Sequence, residues 1–204
     1  MPSKGMRRLL LAWLCLACAS PAQAGLTLNG GWQQERERDT DLPAAGYGVG
    51  MNIDLGEYVF FGIKYSSLRT DAFADATDGV VGRLEYRTGG PELGAVWPWT
   101  DRLGLTATGG YSESSTRGLD GFREDRIERY EGPTGSLTLW YAPRPSFSVN
   151  AARGYSYVGA TPGWDTSAGI GLRLWRELWL DGGYWRGGGA DGWSAGLRTA
   201  IGDD

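Results

Sequence analysis

The sequence contains no histidine, and its two cysteines, Cys15 and Cys18, both lie within the first 24 residues. The absence of histidine excludes every catalytic mechanism that uses an imidazole as acid or base. Zinc sites built from histidine and cysteine are excluded from residues 25–204, and so are disulfides. Catalysis and metal binding would therefore depend on carboxylates, hydroxyls and a few basic side chains.

Positive charge is also scarce, and long apolar runs are missing. Lys64 is the single lysine after residue 24, and three of the 20 basic residues but none of the 24 acidic ones precede residue 25. The remaining 17 basic residues give residues 25–204 a formal net charge of −7. Such a chain has no basic surface for nucleic acid. After residue 24 no apolar run approaches the ~20 residues of a transmembrane helix.

The first 24 residues have the pattern of an export signal. A basic start is followed by the short apolar stretch Leu9–Ala19 and by Ala22-Gln23-Ala24, a small-x-small cleavage site. The apolar stretch is too short to span a membrane as a helix. We therefore predict a cleaved signal peptide at residues 1–24 and one mature domain at residues 25–204.

The rest of the chain is rich in glycine (34 residues), tryptophan (10) and tyrosine (10), and it alternates apolar and polar residues. In Gly46–Leu55, for example, Tyr47, Val49 and Met51 fall on one face of a strand. This alternation over about 9–11 residues is typical of transmembrane β-strands. It predicts ten strands: Leu26–Arg36, Gly46–Leu55, Tyr58–Leu68, Val80–Pro98, Arg102–Ser112, Gly132–Ala142, Ser146–Tyr157, Asp165–Trp175, Leu178–Arg186 and Gly192–Ile201.

The connections between these strands alternate between short and long. Short turns on one side and long loops on the other, with an even strand number, are typical of bacterial outer-membrane barrels. The sequence thus predicts an all-β fold, a single antiparallel up-and-down transmembrane barrel of ten strands, with eight or twelve as alternatives. Gly89-Gly90-Pro91 interrupts the fourth strand, and we interpret it as a β-bulge inside one long strand.

The two faces of the strands distinguish a membrane barrel from a soluble one. The polar faces carry mainly glycine, serine, threonine and asparagine, which suits a narrow lumen better than a water-exposed surface. Aromatic residues gather near strand ends, as in the girdles of membrane barrels: Tyr58, Trp97, Trp99, Trp140, Tyr141, Trp175, Trp179, Tyr184, Trp185 and Trp193. A soluble periplasmic β-barrel that binds a small apolar ligand is the alternative.

On these features the chain resembles the small outer-membrane barrels of Gram-negative bacteria, a class that includes the omptin and opacity-type barrels and the OmpA transmembrane domain. The resemblance lies in the architecture and not in a diagnostic motif. It implies a bacterial outer-membrane location and two partners, the barrel assembly machinery and outer-membrane lipids with lipopolysaccharide. The histidine-dependent enzymes of this class cannot be matched here, so we expect no enzyme, and we find no cofactor or metal site.

Charges on the polar faces suggest what fills the lumen. Eight residues are predicted to face it: Asp54, Lys64, Arg83, Glu85, Arg87, Arg173, Asp181 and Arg198. Charges of both signs in a narrow space would pair and fill it, which predicts a structural or surface-interaction barrel. The alternative is a narrow channel or transporter for ions or small solutes.

The predicted loop 113–131 carries four arginines that could contact lipopolysaccharide phosphates or a surface partner: Arg117, Arg123, Arg126 and Arg129. The oligomeric state has no signal in the sequence.

Overall fold

The computed structural model describes residues 25–38, 40–74, 81–119, 128–158, 163–187 and 189–201. The eleven strands are β1 (Leu26–Glu37), β2 (Pro43–Asp54), β3 (Val59–Thr70), β4 (Phe73–Ala74), β5 (Val81–Thr100), β6 (Leu103–Leu119), β7 (Glu128–Arg144), β8 (Phe147–Ser156), β9 (Gly163–Trp175), β10 (Leu178–Gly187) and β11 (Ala190–Ile201). None of the described residues forms a helix long and apolar enough to cross a membrane.

Ten of these strands close into an antiparallel barrel, as predicted. Each long strand pairs with its neighbour in the chain, β1 pairs with β11, and β3 pairs with β5. The additional β4 is a two-residue strand on the edge of β5. Closure matters because an open sheet edge would leave backbone groups without hydrogen-bond partners in lipid.

The outer surface of the barrel is apolar. Large exposed apolar side chains, such as Leu139, Ile170 and Leu197, share the outward-facing alternation of their strands, whereas Ala44 and Leu68 are the buried apolar side chains among the described residues. A soluble barrel has the reverse arrangement, with its apolar face inward. We call this exposed apolar surface the apolar belt. On β3 it runs from Val59 to Tyr65, after which Ser67 and Arg69 follow on the same face.

Two details differ from the sequence-based expectation. The bulge predicted at Gly89–Pro91 is wrong, because β5 keeps one continuous register with β3 and with β6 across these residues. The irregularity lies instead between Pro98 and Thr100. The expected loop 113–131 is largely strand, because β6 continues to Leu119 and β7 begins at Glu128.

Candidate functional site

The interior of the barrel contains a cavity of about 980 Å³. It reaches from Glu35, Tyr86 and Asp165, near the long connections, to Trp179 and Arg198, near the short turns. A second cavity of about 390 Å³ shares lining residues with it. The lumen of the described barrel is thus not filled by its own side chains.

The lumen stays open because many large lumen residues lie directly opposite a glycine on the next strand. Asn29 pairs with Gly50, and Trp140 pairs with Gly104. A Cβ at Gly50 would come within 2.6 Å of Asn29 Oδ1, and one at Gly104 within 2.5 Å of the Trp140 ring. These side chains therefore lie flat on the wall, where a glycine permits close approach.

The same arrangement recurs around the barrel. It is found in the pairs Phe60–Gly94, Asn52–Gly62, Asn150–Gly169, Asp165–Gly154, Asp181–Gly171 and Trp185–Gly192. The glycine abundance of the sequence thus has a structural reason, since glycine on one strand makes room for a large residue on its neighbour.

Two ion pairs lie along the lumen wall among the predicted residues. Lys64 Nζ is 2.6 Å from Glu92 Oε2, where β3 and β5 pair. Arg198 Nε donates to Asp181 Oδ2 at 2.7 Å, and the guanidinium carbon stands 4.9 Å from the centre of the Trp179 ring. Both basic side chains are thus held against the wall by a neighbouring strand.

The other two predicted lumen residues lie close to the short turns. Asp54 ends β2 and lies opposite Phe60, whose ring rests on Gly94. The Arg173 side chain donates to the backbone carbonyl of Arg176 and lies 3.4 Å from the Glu177 carboxylate. Arg173 thus braces the β9–β10 turn.

At the opposite end the lumen is acidic. Glu35 and Asp165 line the cavity, and among the described residues neither takes part in an ion pair. Tyr86 also lines the cavity, above the apolar belt. Burial, followed by the negative charges of Glu37, Glu35 and Glu128, raises the pKa of Tyr86 to about 12. The carboxylates of this end therefore act together on one hydroxyl and give the mouth of the lumen a negative potential.

The acidic mouth is not a metal site. Among the residues that the structure describes, no three side chains of the metal-ligating types come close enough together to hold an ion. The sequence had placed none of these four carboxylates in the lumen, although the alternation Glu35-Arg36-Glu37-Arg38 puts acids on one face and arginines on the other.

Arg83, Glu85 and Arg87 lie on the outer face of the barrel and not in the lumen. They have the same alternation as the outward-facing Leu93 and Trp97, because β5 has no bulge between them. A register change of one residue transfers every side chain to the other face. The bulge assumed at Gly89–Pro91 is therefore the reason why the sequence analysis assigned these three residues to the lumen.

Glu85 is the centre of a charged cluster on this outer face. Its side chain is only 2% exposed, although it lies on the outside of the barrel. Arg69 Nη2 approaches one carboxylate oxygen at 3.1 Å, Arg87 Nη2 approaches the other at 2.7 Å, and Ser67 donates to it at 3.4 Å. Burial raises the pKa of Glu85, but the hydrogen bonds and charges of the two arginines outweigh it and leave this pKa below its ordinary value.

Two of the four predicted loop arginines lie on strands near this cluster. Arg117, on β6, stands directly opposite Glu85 in the β5–β6 register. Arg129, on β7, pairs with Glu113 at 2.6 Å. Arg123 and Arg126 lie outside the described residues.

Three tryptophans expected in the aromatic girdles face the lumen instead. Trp140, Trp179 and Trp185 line the cavity and are half-buried, whereas Trp97 and Trp193 are exposed on the outer face as predicted. Position near a strand end does not distinguish a girdle residue from a lumen residue; the alternation within the strand does.

Comparisons with known proteins support this fold. No known protein family matches the sequence. No curated protein matches it either. Among solved structures, the translocator domain of the autotransporter NalP from Neisseria meningitidis is 10% identical, with 97% of this chain and 95% of that chain covered and a TM-score of 0.51.

Two smaller outer-membrane proteins are also similar. Ail of Yersinia pestis, solved in complex with the heparin analogue sucrose octasulfate, is 12% identical, with 88% of this chain and 99% of that chain covered and a TM-score of 0.49. OprG of Pseudomonas aeruginosa is 10% identical, with 87% and 96% covered and a TM-score of 0.49. The chain thus resembles Gram-negative outer-membrane β-barrels in architecture.

Proposed function

We propose that this chain is an integral protein of the bacterial outer membrane, exported by the signal at residues 1–24, whose barrel is a narrow, cation-preferring passage for ions or small solutes. The observation that carries the proposal is the cavity of about 980 Å³, which extends along the lumen between its two ends. The apolar belt supports the membrane location, because exposed apolar side chains on the outside of a closed barrel suit lipid and not water.

The preference for cations follows from the position of the charges. Near the short turns, Arg198 is paired with Asp181 and its charge is balanced. At the other end Glu35 and Asp165 line the cavity and form no ion pair among the described residues. A lumen mouth lined by one sign of charge concentrates ions of the opposite sign.

The passage is proposed to act without chemistry of its own. The sequence has no histidine, and no cysteine after residue 24. The polar side chains near the cavity are engaged in wall contacts, as in the Lys64–Glu92 pair. Solute movement through such a lumen requires only a polar lining and sufficient width.

Membrane location is tested first, by cell fractionation and SDS gels of the outer-membrane fraction with and without boiling. We expect the protein in this fraction, with a mobility that changes on boiling, as a closed barrel requires. A periplasmic protein without this change would contradict the membrane location and favour the soluble barrel.

Conductance is tested next, with the heat-modifiable protein in planar lipid bilayers under a KCl gradient. We expect a steady conductance and a reversal potential that shows cation preference. The double variant Glu35→Gln/Asp165→Asn should move this potential toward zero. Asp41→Asn is the matched control, because it removes one negative charge at the same end of the barrel on an exposed residue that pairs with Arg36 outside the lumen.

A second candidate is a structural or surface-interaction barrel with a closed lumen, favoured by the ion pairs Lys64–Glu92 and Arg198–Asp181. A folded, heat-modifiable protein without conductance would contradict the passage and favour this candidate. An unchanged reversal potential in Glu35→Gln/Asp165→Asn would contradict the role of the acidic mouth.

A further inference from the structure

We propose that the outer face of β3, β5 and β6 binds the phosphate group of a membrane lipid in the outer leaflet. The site is the arginine cluster, which we define as Arg69, Arg83, Arg87 and Arg117 around Glu85. The proposal is independent of the passage, because the site lies on the opposite face of the wall from the lumen.

The charge of the cluster is the first argument. Arg69, Arg87 and Arg117 come from three neighbouring strands and surround a single carboxylate, so that positive charge exceeds negative charge. The guanidinium groups also stay accessible, since the side chains of Arg69 and Arg87 are 63% and 46% exposed while Glu85 is covered. Arginine binds phosphate oxygens through two parallel hydrogen bonds.

The role of Glu85 is to hold the guanidinium groups in place. One of its oxygens takes Arg69 and the other takes Arg87. Each arginine therefore loses part of its side-chain freedom on folding and not on ligand binding. Such preorganisation lowers the entropic cost of binding an anion.

The height of the cluster identifies the ligand as a lipid. On β3 the apolar belt ends at Tyr65, Ser67 follows, and Arg69 is the next outward residue. Arg87 pairs with Ser67, and Arg69 pairs with Glu85. The arginines therefore stand directly above the apolar surface, where acyl chains can pack on the belt while their phosphate contacts the cluster.

The opposite side of the barrel lacks this excess of positive charge. There the outer arginines pair with aspartates, Arg36 with Asp41, and Arg38 and Arg186 with Asp191. Arg36 and Arg186 are thus a natural control, because they have the same residue type, the same face and the same end of the barrel.

The test measures retained lipid by native mass spectrometry of the folded mature protein in a non-ionic detergent. The probes are dioleoyl phosphatidic acid, which carries a phosphomonoester, and dioleoyl phosphatidylcholine. We expect preferential retention of phosphatidic acid, weakened at least ~10-fold in Arg69→Gln/Arg87→Gln, because charge-assisted hydrogen bonds of this strength are lost. Arg36→Gln/Arg186→Gln should retain the lipid as the parent protein does.

Three results would overturn the proposal. Equal retention of the two lipids would remove the phosphate preference, and equal loss in both double variants would make any surface arginine sufficient. Displacement of the lipid by millimolar inorganic pyrophosphate would assign the cluster to free anions instead of a lipid. If Arg69→Gln/Arg87→Gln does not fold, Arg69→Lys/Arg87→Lys keeps the charge and removes the paired geometry; it should still weaken retention, and unchanged retention would refute the site.

Discussion

Replacing Gly94 with alanine tests whether large side chains really lie on glycines across the strands. A Cβ at Gly94 would overlap the ring of Phe60, which lies directly opposite on β3. Overpacking of this kind costs about 1–3 kcal/mol. Alanine in place of glycine in a strand otherwise gains about 0.5–1 kcal/mol. We therefore expect Gly94→Ala to lower the free energy of unfolding by about 1–2 kcal/mol.

The control is Gly109→Ala, on the exposed outer face of β6, where an added Cβ would meet no atom within 4 Å. This variant should be neutral or more stable by up to about 1 kcal/mol. Both are measured by guanidinium unfolding in detergent micelles with tryptophan fluorescence. In a Phe60→Ala background, Gly94→Ala should lose most of its cost, because the ring it displaces is absent. Equal stability of the two glycine variants, or a cost that persists without the Phe60 ring, would refute the wall-packing argument.

Two further predictions concern charged residues. Glu85→Gln should destabilise the barrel by about 1–3 kcal/mol at neutral pH, since hydrogen bonds to a charged group are lost. Because the arginines lower the pKa of Glu85, its contribution is complete above the ordinary carboxyl pKa and is lost as pH falls through the folded-state value; unfolding curves of parent and variant should therefore converge in acid, and a constant difference would contradict this. Arg198→Lys keeps the charge but loses the fork to Asp181 and the contact with Trp179, so thermal unfolding should shift by about 1 kcal/mol, while an unchanged midpoint would show that the fork and the ring add nothing.

The fold was predictable because a period of two in hydrophobicity is a local signal. The ten barrel strands follow from alternation such as that of Gly46–Leu55, and their order follows from alternating connection lengths. The extension of β6 and β7 was not predictable in the same way. Beyond the apolar belt both faces of a strand are polar, so residues such as Ser114 and Arg129 read as loop although their backbone is paired.

The charged sites were predictable only where the register was certain. Lys64, Asp181 and Arg198 lie in strands with an unbroken alternation, and the structure places them in the lumen. Glu85 lies beyond Gly89–Pro91, where the sequence allows either a bulge or continuous pairing. The neighbouring strands decide between the two, and a single sequence does not contain that pairing information.

The unequal strand lengths also determine the shape of the rim. β5, β6 and β7 have 20, 17 and 17 residues, whereas β8 and β10 have 10 each. Above Gly89, which lies level with Tyr65 at the upper end of the apolar belt, β5 continues for eight residues to Val81, roughly 25 Å of strand at about 3.3 Å per residue. The barrel therefore has a high wall on one side and a low rim on the other, so that its opening faces sideways. A solute from the medium enters over the β8–β10 rim, and surface polysaccharide that leans against the high wall leaves this entrance clear.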